Sequence, residues 1–404
     1  MFEGQVSKEL CLFGAVFFYL IAFQVNFFFP GFLWVCYVVA LAFAVLGLNK
    51  LEIEKSWFKY LAIFLIFFAF ALISFFFGSV GDYKPRRLFV FFLSIVVMIC
   101  VASVLNRDLG LRKRTLDIVL LALWAELSIF LLQFSFLTWG VGIVPQNEEA
   151  EFTGFITGSY GNPNNVAVVI VLQLLLLISK DRVVRNWSGY ITVLVVGFAV
   201  FLTMSRTVLL FYITLLLYFG FKGRRSSERN GVRVAFLALL VLVGSVFTIF
   251  DGVGQTENAV IGRSFNKIFS LGALEQDYSV RFRVVSMDRL VASLDSLGIG
   301  SMSDLNYKVF FESDDDPLAK VNPHSLLAEI AFLYGWVGFG LIVVFFIFCF
   351  IDIARLSRSV VLSFYFVSLF LLFQAVPSSV LGFPVFFYFI VLISKFDSVQ
   401  GVRH

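Results

Sequence analysis

The sequence predicts an all-α, polytopic integral membrane protein with about twelve transmembrane helices. Hydrophobic residues make up 60% of the chain and aromatic residues 18%. The mean hydropathy of +0.94 lies far above the range of soluble domains. The apolar runs are long and continuous, whereas membrane-spanning strands would show alternating runs of about ten residues. We therefore interpret residues 1–404 as a single transmembrane domain.

The apolar segments define the predicted spans. They lie near residues 10–29, 31–48, 57–77, 88–105, 116–138, 164–179, 188–204, 207–221, 234–250, 325–351, 359–376 and 378–395. Only one basic residue, Lys8, precedes the first segment, and no small-residue cleavage site follows it. We therefore expect a retained span and not a cleaved signal. The four cysteines lie within such segments and are expected to pack as small apolar side chains.

Basic residues concentrate in every second connection between these spans, which predicts the orientation. These connections carry Lys50, Lys55, Lys59, Arg107, Arg112, Lys113, Arg114, Lys180, Arg182, Arg185, Lys222, Arg224, Arg225, Arg229, Arg233, Arg355 and Arg358. The positive-inside rule assigns them, and both termini, to the cytoplasm. The other connections are then external, and two of them are long, at residues 139–163 and 251–323. The longer loop contains apolar residues at helical spacing over 279–297, which predict a helix on the membrane surface.

A smaller set of basic residues lies on the predicted external side. It comprises Lys84, Arg86, Arg87, Arg206, Arg263, Lys267, Arg281, Arg283, Arg289, Lys308 and Lys320. Guanidinium groups bind phosphate through paired hydrogen bonds, so these arginines indicate a lipid-linked phosphate or diphosphate at headgroup depth. The alternative for any single arginine is that it only snorkels to the interface. That alternative suits Arg206 least, because FLTMSRTVLLF places its charge between two short apolar runs.

Two Asn-Pro pairs, beginning at Asn162 and Asn322, each precede an apolar run. Asparagine is a good helix N-cap and proline suits the first helical position, so each pair predicts a helix that begins at the external face. The partial positive charge of a helix N-terminus suits an anion and disfavours a protonated imidazole. His324 is therefore expected to be neutral, as a general base must be. The alternative is an interfacial histidine that only hydrogen-bonds a backbone group.

Two kinds of residue interrupt the apolar spans. Glu126 and Glu329 are carboxylates within predicted spans, where each would pair with an external arginine or fix helix packing. Gly335 and Gly338 predict a close helix approach or a helix break.

Several motifs follow one another in a specific order. They are GNPN at 161–164, Ser205-Arg206, the long loop, His324-Ser325 and Gly335-Trp336-Val337-Gly338. This order resembles the O-antigen polymerase and ligase superfamily over about residues 155–345. Arg281 followed by LGIG at 297–300 looks like the family's arginine helix and glycine turn. The tryptophan often found after that arginine is missing, which leaves the choice between Arg281 and Arg283 open.

The resemblance implies a type C glycosyltransferase architecture that uses an undecaprenyl-diphosphate-linked oligosaccharide donor and acceptor. The active site would lie at the periplasmic face of a bacterial inner membrane. His324 would deprotonate the acceptor hydroxyl, and Arg206 with Arg281 or Arg283 would stabilise the departing diphosphate. Two further arginines, Arg86 and Arg87, are expected to bind the diphosphate. The residues expected to bind the rest of the substrate are Asn162, Asn164, Ser205 and Arg289.

The same resemblance implies neither a cofactor nor a metal. The run Asp314, Asp315 and Asp316 would suit an oxygen-ligated cation, but adjacent loop carboxylates are more often a solvated turn. A polysaccharide chain-length regulator is a candidate partner, and no nucleic-acid partner is expected.

Three functions remain open on the sequence. A polymerase of polysaccharide repeat units is preferred, because the GNPN segment is more typical of polymerases. A ligase that transfers polysaccharide to lipid A core shares the mechanism. A polysaccharide flippase also has about twelve spans, but transporters tend to show two related halves and charges along a midplane cavity. Here the loops are asymmetric and the charges gather at one face.

Overall fold

The computed structural model describes residues 2–47, 58–77, 92–97, 99, 109–143, 156–179, 187–222, 288, 290–292, 298 and 326–357. All regular secondary structure within these ranges is helical. The all-α part of the predicted fold class is thereby confirmed. The predicted spans at 234–250, 359–376 and 378–395, and most of the one at 88–105, lie outside these ranges, so the number of spans stays a prediction.

The described helices follow the predicted spans closely. They are α1 (Phe2–Phe28), α2 (Phe32–Gly47), α3 (Phe58–Phe77), α4 (Leu109–Trp139), α5 (Pro163–Ser179), α6 (Trp187–Leu202), α7 (Arg206–Lys222) and α8 (Leu326–Ser357). A 3₁₀ turn, Gly158–Tyr160, lies between α4 and α5.

Within the described residues, three stretches are long and apolar enough to cross a membrane, at Leu10–Phe28, Lys113–Trp139 and Tyr334–Asp352. The apolar stretches of the other described helices are shorter, and that of α5, for example, lies within a helix of 17 residues. The chain is a membrane protein built from these helices.

The chain divides into two compact units. The first unit comprises Met1–Ala15, Val39–Leu111 and Gly272–His404, and the second comprises Val16–Val38 and Arg112–Leu271.

In the first unit, α3 and α8 pack against each other in opposite directions. Lys59 near the start of α3 forms a 2.6 Å ion pair with Asp352 near the end of α8. Further along α3, the ring of Phe64 lies 5.1 Å from that of Phe345. The antiparallel direction is the one that the predicted orientation requires of the two helices.

The break in α8 occurs at Gly335. This residue has φ 60° and ψ −154°, which only glycine adopts without strain. Trp336 donates its backbone N–H to the carbonyl oxygen of Gly298 at 3.2 Å, so Gly298 of the long loop contacts α8 at the break. A Cβ on Gly338 would lie 3.3 Å from Phe67 and would collide with Tyr334. Of the two predicted alternatives, the helix break occurs at Gly335, and a close approach to Phe67 of α3 occurs at Gly338.

In the second unit, α5 is the central helix. Every residue from Asn165 to Ile178 is buried, as expected for a helix that is apolar on all sides. Helix α5 contacts both α6 and α7, and these two helices contact each other. The phenol of Tyr212 in α7 donates to the carbonyl of Val193 in α6 at 2.6 Å.

Candidate functional site

The segment that leads into α5 is bent at two glycines. Gly158 begins the 3₁₀ turn with φ 58°, and Gly161 ends it with φ 66°. Tyr160 between them is 7% exposed, and its ring stacks on Phe23 with centroids 4.6 Å apart. The segment is therefore folded into the second unit and does not project from it.

One side chain of α4, Gln133, binds the first part of this segment through three hydrogen bonds. Its Oε1 atom accepts the backbone N–H groups of Thr157 at 3.1 Å and Gly158 at 2.9 Å. Its Nε2 atom donates to the carbonyl of Gly158 at 3.3 Å. Because Gln133 is fully buried, these bonds replace the water that the segment would otherwise need.

A carboxylate of α4, Glu126, binds the next residue of the segment. Its Oε1 atom accepts the backbone N–H of Ser159 at 2.8 Å, and its Oε2 atom accepts the hydroxyl of the same serine. Gln24 of α1 donates its Nε2 hydrogen to Oε2 at 2.9 Å. Glu126 is 0% exposed, so each of its oxygens is satisfied inside the protein.

Glycine is required at position 158 because of this packing. A Cβ there would collide with Oε1 of Glu126 and would lie 2.7 Å from a methyl group of Val166. At Gly161, in contrast, a Cβ would meet no atom within 4 Å. The carboxylate therefore excludes a side chain at Gly158, whereas nothing within 4 Å excludes one at Gly161.

The predicted N-cap of α5 is confirmed. Oδ1 of Asn162 accepts the backbone N–H of Asn164 at 2.9 Å, its carbonyl accepts the N–H of Val166 at 3.2 Å, and the helix begins at Pro163. In the part of the chain that the structure describes, Nδ2 of Asn162 and the side-chain amide of Asn164 make no hydrogen bond. Both residues are only partly buried, so these polar groups are accessible at the helix start.

The predicted tight bend before Arg206 is also confirmed. Only residues 203–205 separate α6 from α7, and Met204 has φ 57°. The carbonyl of Ser205 accepts the N–H of Leu209 at 2.9 Å, so Ser205 is the N-cap and Arg206 the first residue of α7. Among the described residues, the hydroxyl of Ser205 has no hydrogen-bond partner. Arg206 is partly buried and its Nη1 atom is fully buried, which argues against simple snorkelling.

The starts of α5 and α7 lie at the same end of the helix group. The three-residue bend makes α6 and α7 antiparallel, and only seven residues separate Ser179 from Trp187 at the other end of α6. Two helix N-termini, the guanidinium of Arg206 and the accessible amides of Asn162 and Asn164 therefore share one end. Helix N-termini and guanidinium groups favour anions, and amides bind sugar hydroxyls. This end is the candidate site.

The site lies deep along α4. Glu126 precedes Trp139 by 13 residues (139 minus 126), which corresponds to roughly 20 Å of helix. The segment bound to Glu126 is thus level with the middle of the apolar stretch Lys113–Trp139. Helix α5 therefore begins beside the middle of α4, and its predicted start at the external face stays a prediction.

The other predicted site residues lie outside the described residues. They are His324, Arg281, Arg283, Arg289, Arg86 and Arg87. Nearby in the sequence, Glu329 is described and is 0% exposed in the first turn of α8.

Sequence reasoning missed two members of the site, Gln24 and Gln133, and did not predict the partners of Glu126. A signal was present, because all three are polar residues within apolar runs. Glu126 and Gln133 are also separated by seven residues, which places them on one face of α4. The described partners of Glu126 are Ser159 and Gln24, and an arginine is not among them.

Residues 191–343 match a family model described as O-antigen ligase. The resemblance predicted from the motif order is confirmed over this range, which includes the Ser205-Arg206 bend and the Gly335 break. The segment that leads into α5 precedes the match. Neither a search of curated proteins nor a search of solved structures gives a significant match.

Proposed function

We propose that this chain is a membrane glycosyltransferase that polymerises undecaprenyl-diphosphate-linked repeat units of O-antigen or a similar surface polysaccharide. The reaction takes place at the periplasmic face of the inner membrane. The observation that supports it most is the shared end of α5 and α7, where two helix N-termini, Arg206 and accessible amides suit a sugar diphosphate. The O-antigen ligase match over residues 191–343 supports the same class of reaction.

In the proposed reaction, His324 takes the proton of an acceptor sugar hydroxyl. The oxygen attacks the anomeric carbon of the donor, and the bond from that carbon to the diphosphate oxygen breaks. The lipid diphosphate leaves with the bonding electrons, and its added charge is stabilised by Arg206 with Arg281 or Arg283. The partial positive charges of two helix starts add to this stabilisation.

The amides at the start of α5 are proposed to orient the sugar. Asn162 offers two Nδ2 hydrogens and Asn164 offers both a donor and an acceptor, a combination that matches vicinal hydroxyl groups. The hydroxyl of Ser205 lies beside Arg206 at the start of α7, where it suits a phosphate oxygen. Arg86 and Arg87 are proposed to contact the diphosphate, and Arg289 the remainder of the substrate.

A ligase is the second candidate, because the matching family model is described as O-antigen ligase. The two reactions differ only in the acceptor, a carrier-linked oligosaccharide for the polymerase and lipid A core for the ligase. A polysaccharide transporter is the candidate of a different class.

Deletion of the gene followed by gel analysis of the lipopolysaccharide separates these functions. Loss of a polymerase leaves a single repeat unit on the core. Loss of a ligase leaves core without O-unit while carrier-linked polymer accumulates. Loss of a flippase leaves carrier-linked units on the cytoplasmic side, and unchanged surface glycans contradict both transferase functions.

Substitutions in the full-length protein test the assigned residues. We expect Arg206→Ala to lower glycan transfer by about 10²–10³-fold, the usual effect of losing one oxyanion stabiliser. We expect His324→Ala to lower it by about 10²–10⁴-fold. Arg206→Lys keeps the charge but loses the bidentate geometry, so it restores transfer only in part. Arg114→Ala, at an exposed position on α4, is the control. Full transfer by either alanine variant, with normal membrane insertion, rules out the role assigned to that residue.

A further inference from the structure

The bent segment 156–162 lies level with the middle of α4, yet it is not α-helical. Within a bilayer, non-helical backbone is tolerated only where other protein groups form hydrogen bonds with its N–H and C=O groups or where it lines a water-filled cavity. The amides of Thr157, Gly158 and Ser159 are such groups, and all three residues are buried. Their hydrogen-bond acceptors therefore decide whether this conformation is stable.

Two side chains of α4 provide all three acceptors. Gln133 accepts the N–H groups of Thr157 and Gly158, and Glu126 accepts that of Ser159. Both side chains are 0% exposed, so neither is available for contact with bulk solvent. The two residues are two helical turns apart on α4, and together they fix three consecutive amides of the segment.

The same contacts determine where α5 begins. Ser159 is followed by Tyr160, by Gly161 with φ 66° and by the N-cap Asn162, so no flexible linker separates the bound amides from the helix start. The hydroxyl of Ser159 adds a second bond to Glu126 on the opposite oxygen, and Gln24 fixes that oxygen from α1. The carboxylate is thereby held from two sides.

We propose that Glu126 and Gln133 are positioning residues for the transferase site. By binding the amides of residues 157–159, they hold the start of α5 beside the middle of α4 and present the amides of Asn162 and Asn164 to the lipid-linked saccharide. This inference rests on the proposed function for its ligand, but the positioning itself is a property of the fold. Glu126 is not a catalytic residue, because its described contacts bind the segment.

Hydrogen exchange of the full-length protein in detergent tests the positioning without any substrate. Glu126→Gln leaves one oxygen as acceptor and replaces the other by an NH₂ group, which cannot accept a bond. Gln133→Met keeps the length of the side chain and removes its hydrogen bonds. We expect each variant to speed exchange of the amides of 157–159 by about tenfold or more, as loss of a buried hydrogen bond predicts. Ser128→Ala is the matched control, since Ser128 is exposed on α4 and bonds only to the carbonyl of Trp124.

Transfer kinetics with a defined lipid-linked repeat unit test the consequence for the site. The amides of Asn162 and Asn164 bind the saccharide before and during reaction, so their displacement raises KM more than it lowers kcat. We expect Glu126→Gln and Gln133→Met to raise KM for this substrate at least about tenfold, with kcat within about threefold. Ser159→Ala removes only the hydroxyl bond, so its KM lies between that of the control and that of Glu126→Gln.

The two measurements distinguish the possible failures. Unchanged exchange at 157–159 in both α4 variants overturns the positioning role, whatever their activity. Faster exchange with unchanged KM also overturns the proposal, because the segment then does not serve the saccharide. Faster exchange in a protein whose unsubstituted form transfers no glycan refutes the proposed function while the positioning of α5 stands.

Discussion

Replacing Gly158 by alanine tests the contact between the bent segment and Glu126. Gly158 and Gly161 have φ angles of 58° and 66°, so alanine at either position carries nearly the same backbone strain. A left-handed conformation costs about 1–2 kcal/mol for a residue with a Cβ. Both substitutions also make the unfolded chain less flexible, so both gain a similar amount of stability from that effect. The difference between the two variants therefore isolates the surroundings of the added methyl group.

Those surroundings differ sharply. At Gly161 the methyl group meets nothing within 4 Å, so the backbone term of about 1–2 kcal/mol is the whole expected loss. At Gly158 it collides with Oε1 of Glu126 and approaches Val166 to 2.7 Å. Overpacking of this kind costs about 1–3 kcal/mol more. We expect Gly158→Ala to lower the free energy of unfolding by about 2–5 kcal/mol in total.

The assay is unfolding of the purified protein in mixed micelles with increasing denaturing detergent, followed by tryptophan fluorescence. Gly161→Ala is the matched control, and Gly161→Asn adds a residue that tolerates the left-handed region. Equal losses at Gly158 and Gly161, or a larger loss at Gly161, would refute the close approach to Glu126.

Two further predictions concern the packing of α3 against α8. Gly338→Ala is expected to be less stable than Gly340→Ala by about 1–3 kcal/mol, because its methyl group collides with Tyr334 of α8 and lies 3.3 Å from Phe67 of α3. At Gly340 the methyl group meets no atom within 4 Å, and both variants share the gain from a helical alanine. Equal stability of the two variants in the same unfolding assay would contradict this packing. Asp352→Leu leaves Lys59 and Tyr60 without their shared acceptor, so we expect a loss of about 1–3 kcal/mol, against about 1 kcal/mol for Tyr60→Phe. If Asp352→Leu were as stable as the unsubstituted protein, the ion pair would not contribute to the α3–α8 contact.

Local signals in the sequence predicted the features that depend on neighbouring residues. Apolar length predicted the described spans within a few residues at most ends, because helical hydrogen bonds are local. Asn162-Pro163 predicted the start of α5, since capping involves only adjacent residues. Ser205-Arg206 predicted the bend, and Gly335 the break in α8, because each depends on a short interruption of an apolar run.

The contacts that build the site could not be predicted in the same way. Ser159 and Glu126 are 33 residues apart, and Gln24 and Glu126 are 102 residues apart. No helical or strand periodicity in the sequence relates these positions to each other, and Gln133 looks like an isolated polar residue within a span. The position of the α5 start relative to α4 was not predicted for the same reason. It is determined by where the segment binds along α4, and an Asn-Pro pair carries no information about that position.

The buried carboxylate and the non-helical segment explain each other. A carboxylate in the middle of an apolar helix is unfavourable unless hydrogen-bond donors surround it. Buried backbone amides without a helical hydrogen bond are likewise unfavourable unless acceptors surround them. Glu126 and the segment at Ser159 each satisfy the need of the other, so neither would be stable alone. An intramembrane carboxylate usually suggests an ion or proton pathway, which would favour the transporter. Here both carboxylate oxygens bind the polypeptide itself, and the groups left accessible are the amides at the start of α5. That arrangement favours a protein that binds a polar substrate at a fixed position, as a transferase must.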